Sequence, residues 1–344
     1  MNILIIKLGA IGDVIRTTSI LPGLKAKYKN CKIDWATKSE SFDVLKNNHL
    51  ISNIYLINKN PLKKSNKKYD LVISLDDDYE ACALATKTDA KKIIGSYLKN
   101  DEKTYTKGSS LWFDMGLISR FGKKAADEMK AKNKKTYQEI MYKILGLSYK
   151  KQEPILLLNK KELSFGREFA KKHSIKETDV IIGINTGAGG RWEGKKLSME
   201  KTAELIDKLN RGIKNAKLIL FGGPEERERN EKIKKLASQN SKNFQSKTNL
   251  IDAGCDNSLM EFASLVNLCS VLVTSDSLAL HTGIALKRKI VCFFCPTPSA
   301  EIELYSRGEK ILAKKGCLCC YKPKCDIPPE WDINEIVSAV KKLI

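Results

Sequence analysis

The run Met1-Asn2-Ile3-Leu4-Ile5-Ile6-Lys7-Leu8-Gly9-Ala10-Ile11-Gly12-Asp13 decides how the rest of the chain is read. Its consecutive apolar residues suit a strand buried on both faces, as in a parallel sheet. Gly9 and Gly12, three apart, let the chain turn sharply and approach a ligand closely. Asp13 stands where a helix should start. Strand, glycine turn and helix form the repeating unit of a parallel α/β domain. Outward from this run, short β-branched runs at 32–36, 53–57, 71–75 and 92–94 alternate with helical stretches at 13–29 and 79–86. The stretch 125–145 reads as a further helix, and 58–68 and 97–107 as polar, irregular connections. A second series begins after residue 154, with strands at 180–184, 217–221, 271–274 and 290–294. Its helices fall at 200–211, 225–239, 258–267 and 277–286, and an amphipathic helix closes the chain at 333–344.

The expected architecture is therefore α/β in two domains, 1–154 and 155–330. The C-terminal helix, 331–344, is free to pack back on the first. Open parallel sheets bind ligands at the carboxyl ends of their strands, so a cleft between the domains is the default site. The length of 344 residues suits two domains. No apolar run approaches the roughly 20 residues of a membrane span. The N-terminal apolar stretch is too short for a signal peptide and lacks a basic start and a cleavage site, so a cytoplasmic location is expected.

Lys and Arg number 61 against 40 acids, a net charge of +21. Such an excess favours anionic partners: phosphorylated substrates, an acidic membrane face or nucleic acid. RNA recognition usually adds aromatic stacking platforms. Aromatic residues are only 7% here, so nucleic acid is not expected and a non-catalytic nucleotide- or RNA-binding protein is the lesser reading.

The first loop carries Gly9-x-x-Gly12 and not the full G-x-G-x-x-G fingerprint, which argues against a dinucleotide site. Asp13 has two compatible readings, a helix N-cap and a general base. Lys7 in the same loop could hold an anionic acceptor.

After the strand at 180–184 comes Asn185-Thr186-Gly187-Ala188-Gly189-Gly190-Arg191-Trp192-Glu193-Gly194-Lys195-Lys196. Small residues, a hydroxyl and three cations suit a diphosphate. Gly189-x-x-x-x-Gly194-Lys195 imitates the start of a P-loop, but Lys196 stands where a Ser or Thr would hold magnesium. Phe221-Gly222-Gly223-Pro224-Glu225 offers a second strand end with glycines that leave room for a base or ribose. Thr274-Ser275-Asp276-Ser277-Leu278-Ala279-Leu280-His281 ends a buried strand and starts a helix whose free N–H groups would face an anion. Asp276 could bind sugar hydroxyls, His281 lies one turn inside the helix, and Thr297 follows the next strand. Asp76-Asp77-Asp78 contains an Asp-x-Asp pair, read as helix capping in preference to a metal-bound nucleotide.

Ten cysteines are present. Six are scattered and read as small core residues. Cys317, Cys319, Cys320 and Cys325 cluster, and two readings stay open for them: a structural zinc or iron site, or a disulfide or reduced packed loop.

Taken together, in this order and spacing, the segments 7–13, 185–196, 221–225 and 274–286 with Pro296-Thr297 resemble glycosyltransferase family 9, the heptosyltransferases. The resemblance covers nearly the whole chain. It implies a GT-B fold, an N-terminal acceptor domain and a C-terminal nucleotide-sugar donor domain. It also implies an inverting transfer from ADP-heptose to a lipopolysaccharide core or related glycolipid at the inner face of the cytoplasmic membrane. No metal is required for catalysis, and no obligate protein partner is evident. Asp13 then matches the base and Lys7 the basic residue of the acceptor loop. Thr186, Gly187, Arg191, Lys195 and Lys196 match the diphosphate loop, Gly222 and Glu225 the next donor segment. Asp276, Ser277, Leu278, His281 and Thr297 match the donor cradle. Thr186-Gly187-Ala188-Gly189 replaces the common Pro-Gly-Ala-Ser, and Lys195-Lys196-Leu197 also departs from the pattern, which leaves open another nucleotide sugar or a protein acceptor.

Overall fold

The computed structural model describes residues 1–57, 67–190, 193–243, 249–317 and 327–344. The chain divides into two compact units, Met1–Leu157 with Ala300–Glu303, and Leu158–Ser299 with Leu304–Ile344.

The first unit runs β1 (Asn2–Ile6), α1 (Ile11–Thr17), α2 (Ile20–Lys27), β2 (Lys32–Thr37), α3 (Phe42–Leu45), β3 (Asn53–Leu56), β4 (Leu71–Ser74), α4 (Tyr79–Lys87), β5 (Ile93–Lys99), β6 (Glu102–Tyr105), α5 (Ser110–Phe113), α6 (Gly122–Lys132) and α7 (Tyr137–Ile144). The sheet order is β3-β2-β1-β4-β5-β6. Neighbours pair in parallel except β5 and β6, which are antiparallel. β1 lies inside the sheet, and Ile3, Leu4, Ile5 and Ile6 have no solvent exposure, as the opening apolar run requires. From β1 the chain winds to one side through β2 and β3, then crosses back to β4. The loops after β1 and β4 therefore diverge and leave a crevice at their carboxyl ends.

Three local expectations change. The helix expected at 13–29 is two helices, because Pro22 has no N–H to give to Thr18 and its ring would crowd that carbonyl. The chain restarts instead, with the Leu21 N–H donating to Thr18 O at 3.1 Å and Pro22 in the first turn of α2. The polar stretch 97–107 is largely a hairpin, with Asn100 and Asp101 at φ 50° and 64°, the left-handed corner that these residues tolerate. The helix expected at 125–145 breaks where Thr136 and Glu139 form a reciprocal capping box that starts α7.

The second unit runs α8 (Lys160–Lys172), β7 (Val180–Asn185), α9 (Met199–Gly212), β8 (Ala216–Phe221), α10 (Arg227–Asn243), β9 (Leu250–Asp252), α11 (Leu259–Val266), β10 (Val271–Ser275), α12 (Leu278–Ala285), β11 (Lys289–Phe294), β12 (Gly308–Leu312) and α13 (Ile333–Leu343). All its strands are parallel, in the order β12-β11-β10-β7-β8-β9. Here the winding reverses between β7 and β10. The short edge strands β9 and β12 escape the sequence pattern. The C-terminal helix, allowed by the sequence to pack on the first domain, belongs to the second unit: α13 lies against α9 and β11. Its Ile333, Ile336, Val337 and Val340 enter that unit's core with Trp331.

Cys31, Cys82, Cys255, Cys269, Cys292 and Cys295 are buried. Burial pushes the Cys269 thiol up to about 12 and raises Cys82, Cys255 and Cys292 as well, so these thiols stay protonated and unreactive. Of the terminal cluster, Cys317 is half-buried. Cys319, Cys320 and Cys325 lie outside the described residues.

Gly95 in β5 has φ +108°, and a Cβ there would sit 1.8 Å from Ser74 O in β4. A side chain must therefore force the two strands apart. Gly95→Ala should destabilise the protein by about 3 kcal/mol or more, through backbone strain and overpacking together. A urea-denaturation midpoint equal to that of the unmodified protein would contradict this.

Candidate active site

In the first unit the loops after β1 and β4 meet across the crevice. Lys7, 5% exposed, donates to Leu75 O at 3.1 Å and pairs with Asp76. The backbone N–H groups of Leu8 and Gly9 donate to the other Asp76 oxygen, Gly9 at 3.1 Å. A Cβ at Gly9 would lie 3.0 Å from the Asp76 carboxylate, so glycine permits the close approach. Burial by itself lowers the Lys7 pKa, but Asp76, Asp13 and Tyr137 outweigh it and hold the ammonium above its ordinary range. Lys7, expected as an acceptor-binding cation, thus has its charge committed to Asp76. The Asp-x-Asp pair is divided too. Asp78 caps α4, accepting from the Ala81 N–H at 2.9 Å, while Asp76 holds the first loop.

Asp13 is the third residue of α1 and not its cap. The N-cap is Ala10, without a side-chain bond. The capping reading of Asp13 fails because the chain turns into the helix three residues earlier than the aspartate. Its carboxylate is 33% exposed and takes an Arg16 nitrogen at 2.8 Å. Arg16 is fixed in turn: its guanidinium lies 4.1 Å over the Tyr137 ring and 5.5 Å from Trp112, and 3.7 Å from Glu301. Tyr137 shares a 2.7 Å hydrogen bond with Thr17, and burial raises its pKa against the pull of Lys7 and Arg16.

In the second unit the loop after β7 meets the start of α12. Asn185 Nδ2 donates to Gly187 O at 2.7 Å, Thr274 Oγ1 at 3.1 Å and Ser277 Oγ at 3.3 Å, bridging β7 to β10. Ser277 is the N-cap of α12 but makes no side-chain cap bond, and Leu278 is its first residue. The Lys195 ammonium donates to Asp276 O at 2.7 Å and to its carboxylate at 3.0 Å. His281 Nε2 lies 3.7 Å from the same carboxylate. Burial alone would raise the Asp276 pKa, but Lys195 and His281 hold it well below the usual carboxylate range. Thr297, buried and without a hydrogen-bond partner of good geometry among the described residues, lies close enough to strengthen that hold.

Lys196 sits between Glu193 at 3.0 Å and the buried Glu226 at 3.4 Å. Glu226 also accepts from the Gly223 N–H at 3.0 Å, and a Cβ at Gly187 would come within 2.7 Å of it. Thr186 points inward, its hydroxyl bonded to Phe221 O at 3.0 Å and Asn230 at 2.6 Å, so it anchors the loop from beneath. Gly222 packs on Asn230, and exposed Glu225 lies over Gly190. A small cavity under the loop is lined by Asn185, Thr186, Lys195, Lys196, Arg229 and Phe293. Arg191 lies outside the described residues.

The described donor residues chosen from sequence therefore gather at the carboxyl ends of β7, β8, β10 and β11, while Asp13 and Lys7 occupy the corresponding crevice of the first unit. Sequence reasoning missed Arg16, Glu226, Asn230, Tyr137 and Glu301. Arg16 alone carried a signal, its spacing three residues after Asp13 on a helix. Among the described residues no three His, Cys, Asp or Glu side chains are grouped as metal ligands, and no helix is long and apolar enough to cross a membrane.

Two parallel-sheet Rossmann-like units, each with polar loops at its winding reversal, are those of the GT-B glycosyltransferases. The family model of glycosyltransferase family 9 (heptosyltransferase) matches residues 62–329, and the chain belongs to that family. It is 23% identical to lipooligosaccharide heptosyltransferase 2 of Haemophilus influenzae, with 99% of this chain and 100% of the relative aligned. Its fold is similar to that of the family 9 glycosyltransferase of Veillonella parvula, with a TM-score of 0.75 at 19% identity over 99% of this chain and 96% of the other. It is also similar to the E. coli ADP-heptose LPS heptosyltransferase II, with a TM-score of 0.65 at 16% identity over 100% and 98%. The protein is a glycosyltransferase.

A group with a depressed folded pKa stabilises the protein fully above its unfolded pKa, and this is lost as pH falls towards the folded value. For Asp276 the unfolded value is about 3.9. Asp276→Asn should therefore be less stable than the unmodified protein at pH 7 and pH 5. The gap should narrow only as the pH drops below about 4. Chemical denaturation at several pH values checks this; a gap already closed at pH 5 would show that the carboxylate is not held by Lys195 and His281.

Proposed function

We propose that this chain transfers heptose from ADP-heptose to a lipopolysaccharide core or a related envelope glycolipid, inverting the anomeric carbon and needing no metal for the chemistry. The observation that carries this reading is the gathering of Lys195, Lys196 and the start of α12 at the β7–β10 reversal, where two ammonium groups and the free N–H groups of a helix start can turn to a diphosphate. The names of the Haemophilus and E. coli proteins supply the choice of sugar and acceptor, and the net charge of +21 agrees with a phosphorylated acceptor.

In this mechanism Asp13 takes the proton of the acceptor hydroxyl as that oxygen attacks the anomeric carbon. Arg16, 2.8 Å from the carboxylate, orients it. ADP leaves with the bonding pair, and the charge growing on its diphosphate is met by Lys195, Lys196, Arg191 and the first N–H groups of α12. The diphosphate takes the place of the carboxylates paired with the two lysines. Asp276 and His281 receive sugar hydroxyls, and Gly222 and Glu225 leave room for the ribose. The reaction takes place in the cytoplasm at the inner face of the cytoplasmic membrane.

Calorimetry with ADP, UDP, GDP and CMP should find ADP preferred. Lys196→Ala should weaken ADP about tenfold or more, the loss of one charge-assisted contact. Equal affinity in that variant, or a preference for UDP, would sink the donor assignment. Asp13→Ala should keep its fold and its ADP affinity but lose about 10²- to 10⁴-fold in kcat; full turnover would remove Asp13 from the role of base.

A further inference from the structure

Leu117 and Phe121 are the two most exposed large apolar side chains among the described residues, 84% and 58% exposed. Both sit between α5 and α6, on two consecutive turns closed by Ser119 N–H to Gly116 O at 3.3 Å and Gly122 N–H to Ser119 O at 3.2 Å. The base of this segment is locked. Phe113 stacks on Tyr105 at 5.3 Å, and the Tyr105 hydroxyl bonds Asp114. The Arg120 backbone N–H and Nε donate to that hydroxyl at 3.2 and 3.0 Å, and Nε reaches Asp114 at 3.2 Å. Two large apolar side chains four positions apart thus stand exposed on a base held by ring stacking and hydrogen bonds, without contributing to the core.

The surroundings decide which partner. Lys123 and Lys124 follow at once, both exposed, and Arg120 lies beside the Phe121 ring at 6.0 Å. Residues 107–135 hold eight Lys and Arg against three acids. Of the acids, Asp114 is occupied by Tyr105 and Arg120, Asp127 is met by Lys123 at 2.6 Å in an exposed pair of little strength, and Glu128 is exposed one position further along α6. Two apolar tips are far too small for a stable protein interface, which needs about 800 Å² from each partner. A bilayer accepts such tips singly and rewards the cations behind them when its surface is anionic.

We propose that the segment 116–124 is a membrane-docking tip: Leu117 and Phe121 enter the interfacial layer of an anionic bilayer, and Arg120, Lys123 and Lys124 meet its headgroups. The glycolipid acceptor proposed above gives this docking its purpose, but the docking can be measured without any transfer reaction. The helix that leads into it, α5, carries Trp112, which packs on Tyr137 at 5.2 Å beside Arg16, so the tip follows directly on the scaffold of the Asp13 crevice.

The experiment is sedimentation of the full-length protein with phosphatidylcholine vesicles, with and without phosphatidylglycerol. Binding is expected only to the anionic vesicles and should fall with added salt. Leu117→Ser with Phe121→Ser should lose about tenfold or more in partitioning. Lys123→Gln and Lys124→Gln should each lose about fivefold. In Phe121→Trp, the new indole emission should shift to the blue on anionic vesicles. The inference is overturned if the unmodified protein ignores anionic vesicles at low salt, or if the double serine variant binds as well as it does. Self-association that the serine variant abolishes, without vesicle binding, would also overturn it and assign the patch to a second copy. ADP affinity, read by calorimetry without vesicles, should be unchanged in the serine variant, so failure of the docking is distinguishable from failure of the transferase reading.

Discussion

A lysine–carboxylate pair crosses the gap where each sheet reverses its winding, and the site residues are positioned around these two pairs. In the first unit it is Lys7 with Asp76, in the second Lys195 with Asp276. A winding reversal sends neighbouring loops apart and opens a crevice, and an open crevice between flexible loops would place no side chain reproducibly. A mostly buried ion pair contributes little net stability, because desolvation offsets most of its attraction. Losing either partner, however, leaves a buried charge without its counter-ion. Such a pair therefore specifies geometry more than it adds free energy.

The rest of each crevice is arranged around that tie. Asp76 also takes the N–H groups of Leu8 and Gly9, which fixes the turn that delivers Ile11 to the start of α1 and leaves Asp13 at the surface. Asp13 is then steadied by Arg16, whose guanidinium rests on Tyr137, a contact worth up to about 2 kcal/mol when desolvated. In the second unit Asn185 links β7 to β10, and Thr186 ties the loop downward to Asn230. The two lysines above lie largely buried in the corner, each against a carboxylate. The first crevice thus presents a carboxylate backed by a cation, and the second presents cations backed by carboxylates. The proposed transfer would use the first for proton removal and the second for charge stabilisation at the leaving group.

Much of this was legible in the chain. The apolar run 3–6, the glycine turns and the alternation of short and long segments carried the α/β class, because buried parallel strands and their turns leave strong local patterns. The loops 185–196 and 274–286 stood out for the same reason. The hairpin at β5–β6 was hidden by its polar composition, since its Asn100-Asp101 corner lacks the glycine that marks such turns most clearly. The break between α6 and α7 was readable in Thr136 and Glu139 but was overridden by the longer helical pattern. Glu226 and Asn230 escaped notice, since the contacts that tie them to the loop after β7 reach residues thirty or more positions away.

By itself the sequence determined the fold class, the family and the segments that carry the candidate site, because strand burial, turn chemistry and helix starts are short-range properties. Only the tertiary structure decided what each charge does. Lys7 and Asp76 are 69 positions apart and Lys195 and Asp276 are 81 apart; only the winding of the sheets brings them together. Asp13 and Lys7 look alike in the chain as polar members of one loop. Burial and pairing separate them, leaving Lys7 as the loop's internal tie and Asp13 as a half-buried carboxylate in the first turn of α1.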